Sequence, residues 1–238
     1  MDLKEEDILG DAISEHWYYR SKASALLDYV KQLNPQSVLD VGAGSGYFSK
    51  ELLKKTGAKN ALCIDTSYPS ERNELVSGKL IHYTTHSGPV DADLVLMMDV
   101  LEHVDDDVGL LSEYTGKVPA DTHFLITVPA FTFLWSGHDV FLGHQRRYTL
   151  KEIEKVAANA GLIVERGSYF FGLVFPLVAV LRLLDSFPSS QGRPPRSQLK
   201  RHNPISNATL IGICNVDRLF LYINRLVGLS AFCLARKP

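Results

Sequence analysis

Nine residues, Val38-Leu-Asp-Val-Gly-Ala-Gly-Ser-Gly46, constrain this chain more than any other stretch. An apolar run ends in three glycines, Gly42, Gly44 and Gly46, and a helix-like segment follows. Glycine tolerates positive φ and lets a ligand approach the main chain closely, so the loop suits a strand-to-helix turn that holds something. Sharp turns need glycine anyway. On its own the loop therefore supports only a nucleotide-type ligand at the edge of a sheet.

Three acids narrow the reading. Asp40 lies inside the strand end, where an uncompensated carboxylate is costly to bury. It makes sense there if it accepts hydrogen bonds from the loop or faces a cationic group of a ligand. Asp65 follows a second apolar run and is placed to bind the two hydroxyls of a ribose. Asp99 sits near the end of another run, beside the crevice where open α/β sheets bind ligands.

The remaining pattern is that of an α/β protein. The runs 37–41, 60–64, 94–100 and 123–128 are short and rich in Val, Ile and Leu, as buried parallel strands are. Residues 80–84, 162–169 and 229–236 are further strand candidates. From 14 to 33 the residues Ala23, Leu26, Leu27, Val30 and Leu33 recur at helical spacing, and Pro35 predicts the end of that helix at Asn34. Thr149 and Glu152 have capping-box spacing, Tyr148 and Ile153 can form a hydrophobic staple, and Gly161 marks the stop. With 238 residues the chain reads as a single domain, with 1–34 as a helical lid and 170–227 as an insertion.

Composition excludes several function classes. A net charge of −2 gives the whole molecule no drive toward nucleic acid. Cys63, Cys214 and Cys233 are too few and scattered for a disulfide framework, and Cys63 and Cys233 fall in strands as small core residues. The acidic start, Met1 to Asp7, has no apolar stretch and is not a secretion signal, so a cytoplasmic location is expected.

The glycine spacing is G-x-G-x-G, not the G-x-G-x-x-G of dinucleotide-binding folds. With Val-Leu-Asp-Val before it, the stretch resembles the first motif of class I S-adenosylmethionine-dependent methyltransferases. Asp65 is similar to their ribose-binding acid, and Leu94-Val-Leu-Met-Met-Asp-Val-Leu-Glu-His103 resembles their fourth strand. The resemblance covers roughly residues 16–169 and the closing strand. It implies a Rossmann-like, seven-stranded, mostly parallel sheet in the order 3-2-1-4-5-7-6, with a helical insertion between the last two strands. It also implies S-adenosylmethionine as cofactor and S-adenosylhomocysteine as product. Asp40 with the amides of Gly42, Ala43, Gly44 and Gly46 would hold the methionine part, Asp65 and Thr66 the ribose, and Met98, Asp99 and Val100 the adenine side, with His103 nearby. Family members often carry an acid after the third strand, whereas this chain has Thr84-Thr-His-Ser87, which leaves Thr85 or His86 as substitutes.

Two further segments bear on the acceptor. Val128-Pro-Ala-Phe-Thr-Phe-Leu-Trp-Ser-Gly-His-Asp139 and Gly143-His-Gln-Arg-Arg-Tyr148 gather titratable and aromatic groups near the carboxyl edge of the sheet. With His16-Trp17-Tyr18-Tyr19-Arg20 they resemble a bacterial subgroup of the same methyltransferases, with Tyr19 and Arg20 folding over the cofactor mouth as part of a lid. Histidine suits deprotonation of a hydroxyl acceptor, which makes His138 and His144 the base candidates, with Asp139 orienting one of them. Arg146 and Arg147 suit a carboxylate or phosphate, with Trp135 and Tyr148 completing the acceptor side. The Glu-His after the fourth strand is similar to that of ubiquinone-pathway O-methyltransferases, some of which are associated with a divalent metal there. The matching positions are Asp99, Glu102 and His103, and whether this chain holds a metal stays open.

Methyl transfer to a small-molecule or lipid-like acceptor, with oxygen the expected atom, is thus the leading expectation. A nicotinamide-dependent oxidoreductase and a non-catalytic S-adenosylmethionine-binding protein are the alternatives. The insertion joins the uncharged run 167–181, a proline-rich basic loop at 186–206 and an amphipathic helix at 207–226 with Ile213, Val216, Phe220 and Ile223 on one face. The run is too short to span a bilayer, but the set can rest on the inner face of an anionic membrane, cap the site or form a dimer interface.

Overall fold

The computed structural model describes residues 9–185 and 202–238. Its centre is one eight-stranded sheet: β1 (Ser37–Val41), β2 (Asn60–Ile64), β3 (Arg72–Val76), β4 (Lys79–Thr84), β5 (Leu94–Met98), β6 (His123–Pro129), β7 (Ile163–Phe170) and β8 (Ser230–Arg236). The order across the sheet is β3-β4-β2-β1-β5-β6-β8-β7. β4, β2, β1, β5 and β6 are parallel, and β8 runs antiparallel to both β6 and β7. The expected seven strands are present in the expected order. The eighth, β3, corrects the count.

β3 pairs antiparallel with β4 through a turn at Ser77 and Gly78, both at positive φ. That turn geometry matches the right-handed twist of the paired strands. The strand escapes a search for apolar runs because Arg-Asn-Glu-Leu-Val lies at the edge of the sheet, and charged side chains there discourage pairing with other chains.

Helices α1 (Trp17–Val30) and α2 (Tyr47–Lys55) cover one face of the sheet, α3 (Asp107–Lys117) and α5 (Leu150–Asn159) the other. Strand alternation decides which side chain meets which layer. In β1, Val38 packs with the first layer and Leu39 and Val41 with the second. α5 starts with the expected reciprocal cap: the Glu152 amide donates to Thr149 Oγ1 and the Thr149 amide to Glu152 Oε2 (2.6 Å). α4 (Gly137–Leu142) is a short helix in the segment after β6.

The insertion carries α6 (Phe175–Asp185) and α7 (Pro204–Arg218). Asn207 on α7 accepts from the Trp17 amide (2.8 Å) and donates to the Glu15 carbonyl (2.8 Å), so α7 clamps the start of α1. Arg218 pairs with Asp28, and the Tyr222 hydroxyl donates to the Asp28 carbonyl (2.6 Å). These contacts set the rotation of α7 differently from the expected face. Of that face Ile213 packs half-buried on the core, whereas Val216, Phe220 and Ile223 are exposed and Cys214, Asp217 and Leu221 are buried instead. The helix begins at Pro204, capped by Asn203, and ends at Arg218, short of the expected 226. Most of the proline-rich loop expectation, residues 186–201, lies outside the described residues. Among the described residues no helix is long and apolar enough to cross a membrane, and the three cysteines are free and buried.

Candidate active site

Gly42, Gly44 and Gly46 all take positive φ as the chain leaves β1. The loop cannot be built otherwise. A Cβ on Gly42 would sit 2.7 Å from Val100 Cγ2, and one on Gly46 would sit 2.7 Å from the Tyr83 hydroxyl. The Gly42 and Ala43 amides donate to the Ile64 carbonyl (2.7 and 3.0 Å), and the Gly44 amide donates to Asp65 Oδ2 (3.0 Å). Asp65 Oδ1 accepts from the Ser67 amide (2.9 Å), so one carboxylate ties the ends of β1 and β2 together.

Asp40 does not receive those amides. Its carboxylate accepts instead from Ser49 Oγ on α2 (2.7 Å). Burial pushes its carboxyl up to about 6, against the pull of the Ser49 hydrogen bond.

Beside the loop lies a cavity of about 450 Å³ lined by Gly42, Asp65, Thr66, Asp99, Val100 and His103, with Val41, Ile64 and Leu142 among its apolar walls. The residues present fit an adenosyl group: an apolar slot, a half-exposed carboxylate for a ribose, and a backbone stretch kept bare by glycine. Met98 is buried in β5, where its sulfur accepts from Thr127 Oγ1 (3.9 Å), and it does not line the cavity. Nor do the two lid residues. Tyr19 is buried against the rings of Tyr47 and Phe48, and Arg20 is exposed.

Lys22 is the residue the motifs missed. It lies fully buried on α1, and its ammonium pairs with Asp99 Oδ2 at the end of β5. Asp99 also accepts from Thr127 Oγ1 (3.2 Å) and from the Tyr18 hydroxyl (3.5 Å), and it holds φ at +56°. Burial alone would discharge the lysine, but the Asp99 carboxylate and its hydrogen bond outweigh it and hold the ammonium above its ordinary range. Burial likewise opposes the Asp99 carboxylate, and Lys22 overcomes it, leaving that carboxyl below its ordinary value. One local signal was available: Lys22 stands three residues after Tyr19 and four before Leu26, on the apolar stripe of its helix.

A second charged group forms around Asp139, which is fully buried. Its Oδ1 accepts from Arg147 Nε (2.7 Å) and lies 2.9 Å from His144 Nδ1. Its Oδ2 accepts from the Ser136 amide (2.8 Å). Burial raises the carboxyl, but His144, Arg147 and the Ser136 amide together hold it far below its ordinary value. Asp139 therefore orients His144, as one of the two base candidates requires. His138, on the same helix, is pushed down to about 4 by burial and the nearby Arg182.

The arginines have protein partners. Arg147 is buried and donates to the Ala130 carbonyl (2.9 Å) as well as to Asp139. Arg146 donates to Asp107 Oδ2 (3.3 Å) and to the Asp105 carbonyl (2.9 Å). Tyr148 is buried, its hydroxyl within hydrogen-bond distance of two acceptors, the Leu101 carbonyl (3.0 Å) and Asp107 Oδ2 (2.8 Å), and Trp135 is half-buried away from the cavity. The 143–148 segment thus packs on the Glu-His turn, where the Gln145 amide donates to the Glu102 carbonyl (2.8 Å).

That packing brings Glu102, His103 and His144 together. His103 lines the cavity and its ring meets His144 edge-on at 4.8 Å, while His144 Nε2 lies 3.9 Å from Glu102 Oε1. Glu102 is fully buried, and neither of its oxygens has a hydrogen-bond partner among the described residues. Donor atoms of the three residues lie within 4.8 Å of one another. Burial pushes the Glu102 carboxyl well above its ordinary value, and the charge of Asp99 adds to that. Asp99, the third position of the metal expectation, is paired with Lys22 and is not part of the group, in which His144 joins Glu102 and His103.

A family model described as a methyltransferase domain matches residues 15–166. The fold is similar to that of a SAM dependent methyltransferase from Archaeoglobus fulgidus, with a TM-score of 0.57, 17% identity and coverage of 99% of this chain and 98% of that one. It is also similar to an O-methyltransferase family protein from Burkholderia thailandensis (0.52, 12% identity, 98% and 62% covered). A third similar structure is the [4+2]-cyclase SpnF (0.54, 13% identity, 92% and 80% covered). No curated protein matches the chain in sequence. At these identities the structures attest the fold, and the cyclase is a reminder that one fold serves several chemistries.

Proposed function

The chain belongs to the methyltransferase-domain family, and from that premise we propose that it moves the methyl group of S-adenosylmethionine to an oxygen of a small-molecule or lipid-like acceptor. The cofactor supplies a methyl already activated by its sulfonium, so the protein's task is to align a nucleophile behind that carbon, exclude water and remove a proton. Asp65 and Thr66 would hold the ribose, Val100 the adenine side, and the bare backbone at Gly42 and Gly44 the methionine part. Lys22 holds Asp99 in place at the cavity wall.

The observation that carries the choice of oxygen is the Asp139–His144 pair at 2.9 Å, set behind His103 at the cavity. An imidazole held by a carboxylate is the usual device for accepting a hydroxyl proton, because the carboxylate fixes the tautomer and stabilises the imidazolium. In this reading the acceptor's proton passes to the His103–His144 pair as the methyl moves. His138, whose basicity burial has lowered, stays out of the transfer.

Calorimetric titration of the full chain with S-adenosylmethionine, S-adenosylhomocysteine and NAD tests the first half. NAD binding without S-adenosylmethionine binding would reverse it. Label transfer from S-adenosylmethionine to phenols, quinols, hydroxylated lipids and amines tests the second. His144→Ala and His103→Ala should lower turnover on a hydroxyl acceptor by about 10²–10⁴-fold with cofactor affinity kept. Full turnover in both variants, or transfer to amines alone, would sink the oxygen assignment.

A further inference from the structure

We propose that the exposed apolar face of α6, continued by the segment after α7, seats the protein on an anionic lipid surface. Leu173, Leu177, Val180 and Leu181 follow helical spacing and are 50%, 63%, 55% and 53% exposed. The segment after α7 adds Leu219, Ile223 and Leu226, each more than 70% exposed. The two parts adjoin at Gly172, where a Cβ would lie 3.1 Å from the Val227 carbonyl. Scattered single apolar residues on a surface need no explanation, but an ordered stripe beside a second cluster does.

Charge decides between occupants. From Arg166 to the end the chain carries ten basic residues and two acids, Asp185 and Asp217. The first 165 residues carry fifteen basic residues and twenty-five acids. Some of the late cations are neutralised by the early part: Arg218 by Asp28, Arg225 by Glu154, Arg236 by Glu165. Arg193, Arg196, Lys200 and Arg201 lie between α6 and α7 with no acid among them and count here only as charge. An apolar stripe accompanied by excess positive charge complements anionic headgroups over acyl chains. A second copy would bring like charges together, which disfavours self-association through the same face. With no helix among the described residues long enough to span, the contact is peripheral.

The face also adjoins the acceptor side. Phe175 on α6 meets the rings of Phe131 and Phe133, and Arg182 donates to the Leu134 carbonyl (2.7 Å). A lipid-like acceptor would therefore reach the loop after β6 from the surface on which the protein rests, and this link alone depends on the proposed function.

Flotation of the full chain with vesicles of phosphatidylcholine, with and without phosphatidylglycerol, tests the proposal. The wild type should float with the anionic vesicles, about tenfold or more weakly with neutral ones, and less at about 0.5 M salt. Leu177→Asp/Leu181→Asp should lower anionic-vesicle binding by about tenfold or more. These positions are exposed, so its melting temperature and S-adenosylmethionine affinity should match the wild type. Absence of flotation, binding unaffected by the double variant, or equal binding to neutral vesicles would overturn the proposal. So would a dimer in sedimentation that the double variant dissociates, with no vesicle binding. Cofactor titration is a separate readout, so loss of the methyltransfer reading would leave the lipid surface standing or falling by flotation.

Discussion

The two charged regions at the carboxyl edge of the sheet are built by opposite means. At the donor cleft, Asp65 is half-exposed and satisfied by amides close to the loop it organises, those of Gly44 and Ser67. Deeper in, Lys22, Asp139 and Arg147 are buried, and they are satisfied by charged side chains: Lys22 by Asp99, and Asp139 by Arg147 and His144. Lys22 meets Asp99 across 77 residues of sequence. The first region can spend its carboxylate on a ligand, because solvent and backbone already share the cost of the charge. The second cannot lose a member without stranding a buried charge, which makes it the more fragile of the two.

The largest predicted effect follows directly. Lys22→Met leaves Asp99 without its cation, and Arg147→Ala leaves Asp139 with His144, Ser136 and the more distant Arg182 (4.0 Å). Each should cost about 3 kcal/mol in chemical denaturation. The pH signs can be worked out for the Lys22 pair. Asp99 is held below its ordinary value, so its contribution is present above its unfolded pKa of about 3.9 and is lost as pH falls. Lys22 is held above its ordinary value, so its contribution is full below about 10.4 and is lost as pH rises from there through its folded value. The wild-type minus Lys22→Met difference should therefore be flat across neutral pH and shrink toward both extremes. A variant as stable as the wild type at pH 7 would break the comparison.

Next comes the donor cleft, where the damage should appear in binding more than in stability. Gly42→Ala places a methyl 2.7 Å from Val100 at φ +66°. The left-handed conformation alone costs an alanine about 1–2 kcal/mol. Cofactor affinity should fall by about tenfold to a hundredfold in calorimetry, with a loss of stability of about 2 kcal/mol or less. Unchanged affinity would mean that the ligand does not use this loop.

Legibility was greatest where an element depends on neighbours in sequence. β1 and β2, the glycine turn and the cap of α5 depend on residues a few positions apart, and each was readable to within a residue. β3 was not, because an edge strand needs no apolar run and its only sign was the Ser77-Gly78 turn. The face of α7 was read correctly only at Ile213, because Asn207 and Arg218 fix its rotation through contacts with residues nearly two hundred positions earlier. The histidine and arginine cluster was visible as composition. Which of its members face the cavity was not, since that depends on how 143–148 packs on Glu102 and His103.

Asp40 is the intermediate case, a buried acid in the donor half. Its folded pKa, about 6, lies above the ordinary carboxylate value, so the ionised form is the disfavoured one in the fold. Its contribution to stability is full below its unfolded pKa, near 3.8, and is lost as pH rises toward about 6. Asp40→Asn keeps a partner for Ser49 and removes that loss. The variant should be more stable than the wild type at pH 7 by about 1–2 kcal/mol, with a flatter stability profile between pH 4 and 6. If Asp40 supports the methionine end of the cofactor, affinity should fall by about tenfold at the same time. A gain in stability with a loss of binding is the signature of a charge kept for a ligand.

The smallest predicted effect separates two neighbours that the sequence presents as equals. Arg146 and Arg147 both suit an anionic acceptor by composition, yet Arg147 is buried in the Asp139 group while the Arg146 side chain is about a third exposed. An exposed ion pair contributes about 0–1 kcal/mol, because solvent screens it and both side chains lose freedom in forming it. Arg146→Ala should thus cost less than about 1 kcal/mol, against about 3 for Arg147→Ala, and leave cofactor affinity unchanged. Its informative readout is KM for the acceptor. A KM raised with kcat unchanged would show that Arg146 leaves Asp107 to bind an anionic group on the acceptor, because a contact made equally in ground and transition states alters KM alone. An unchanged KM would confine it to joining the Arg-Arg loop to α3.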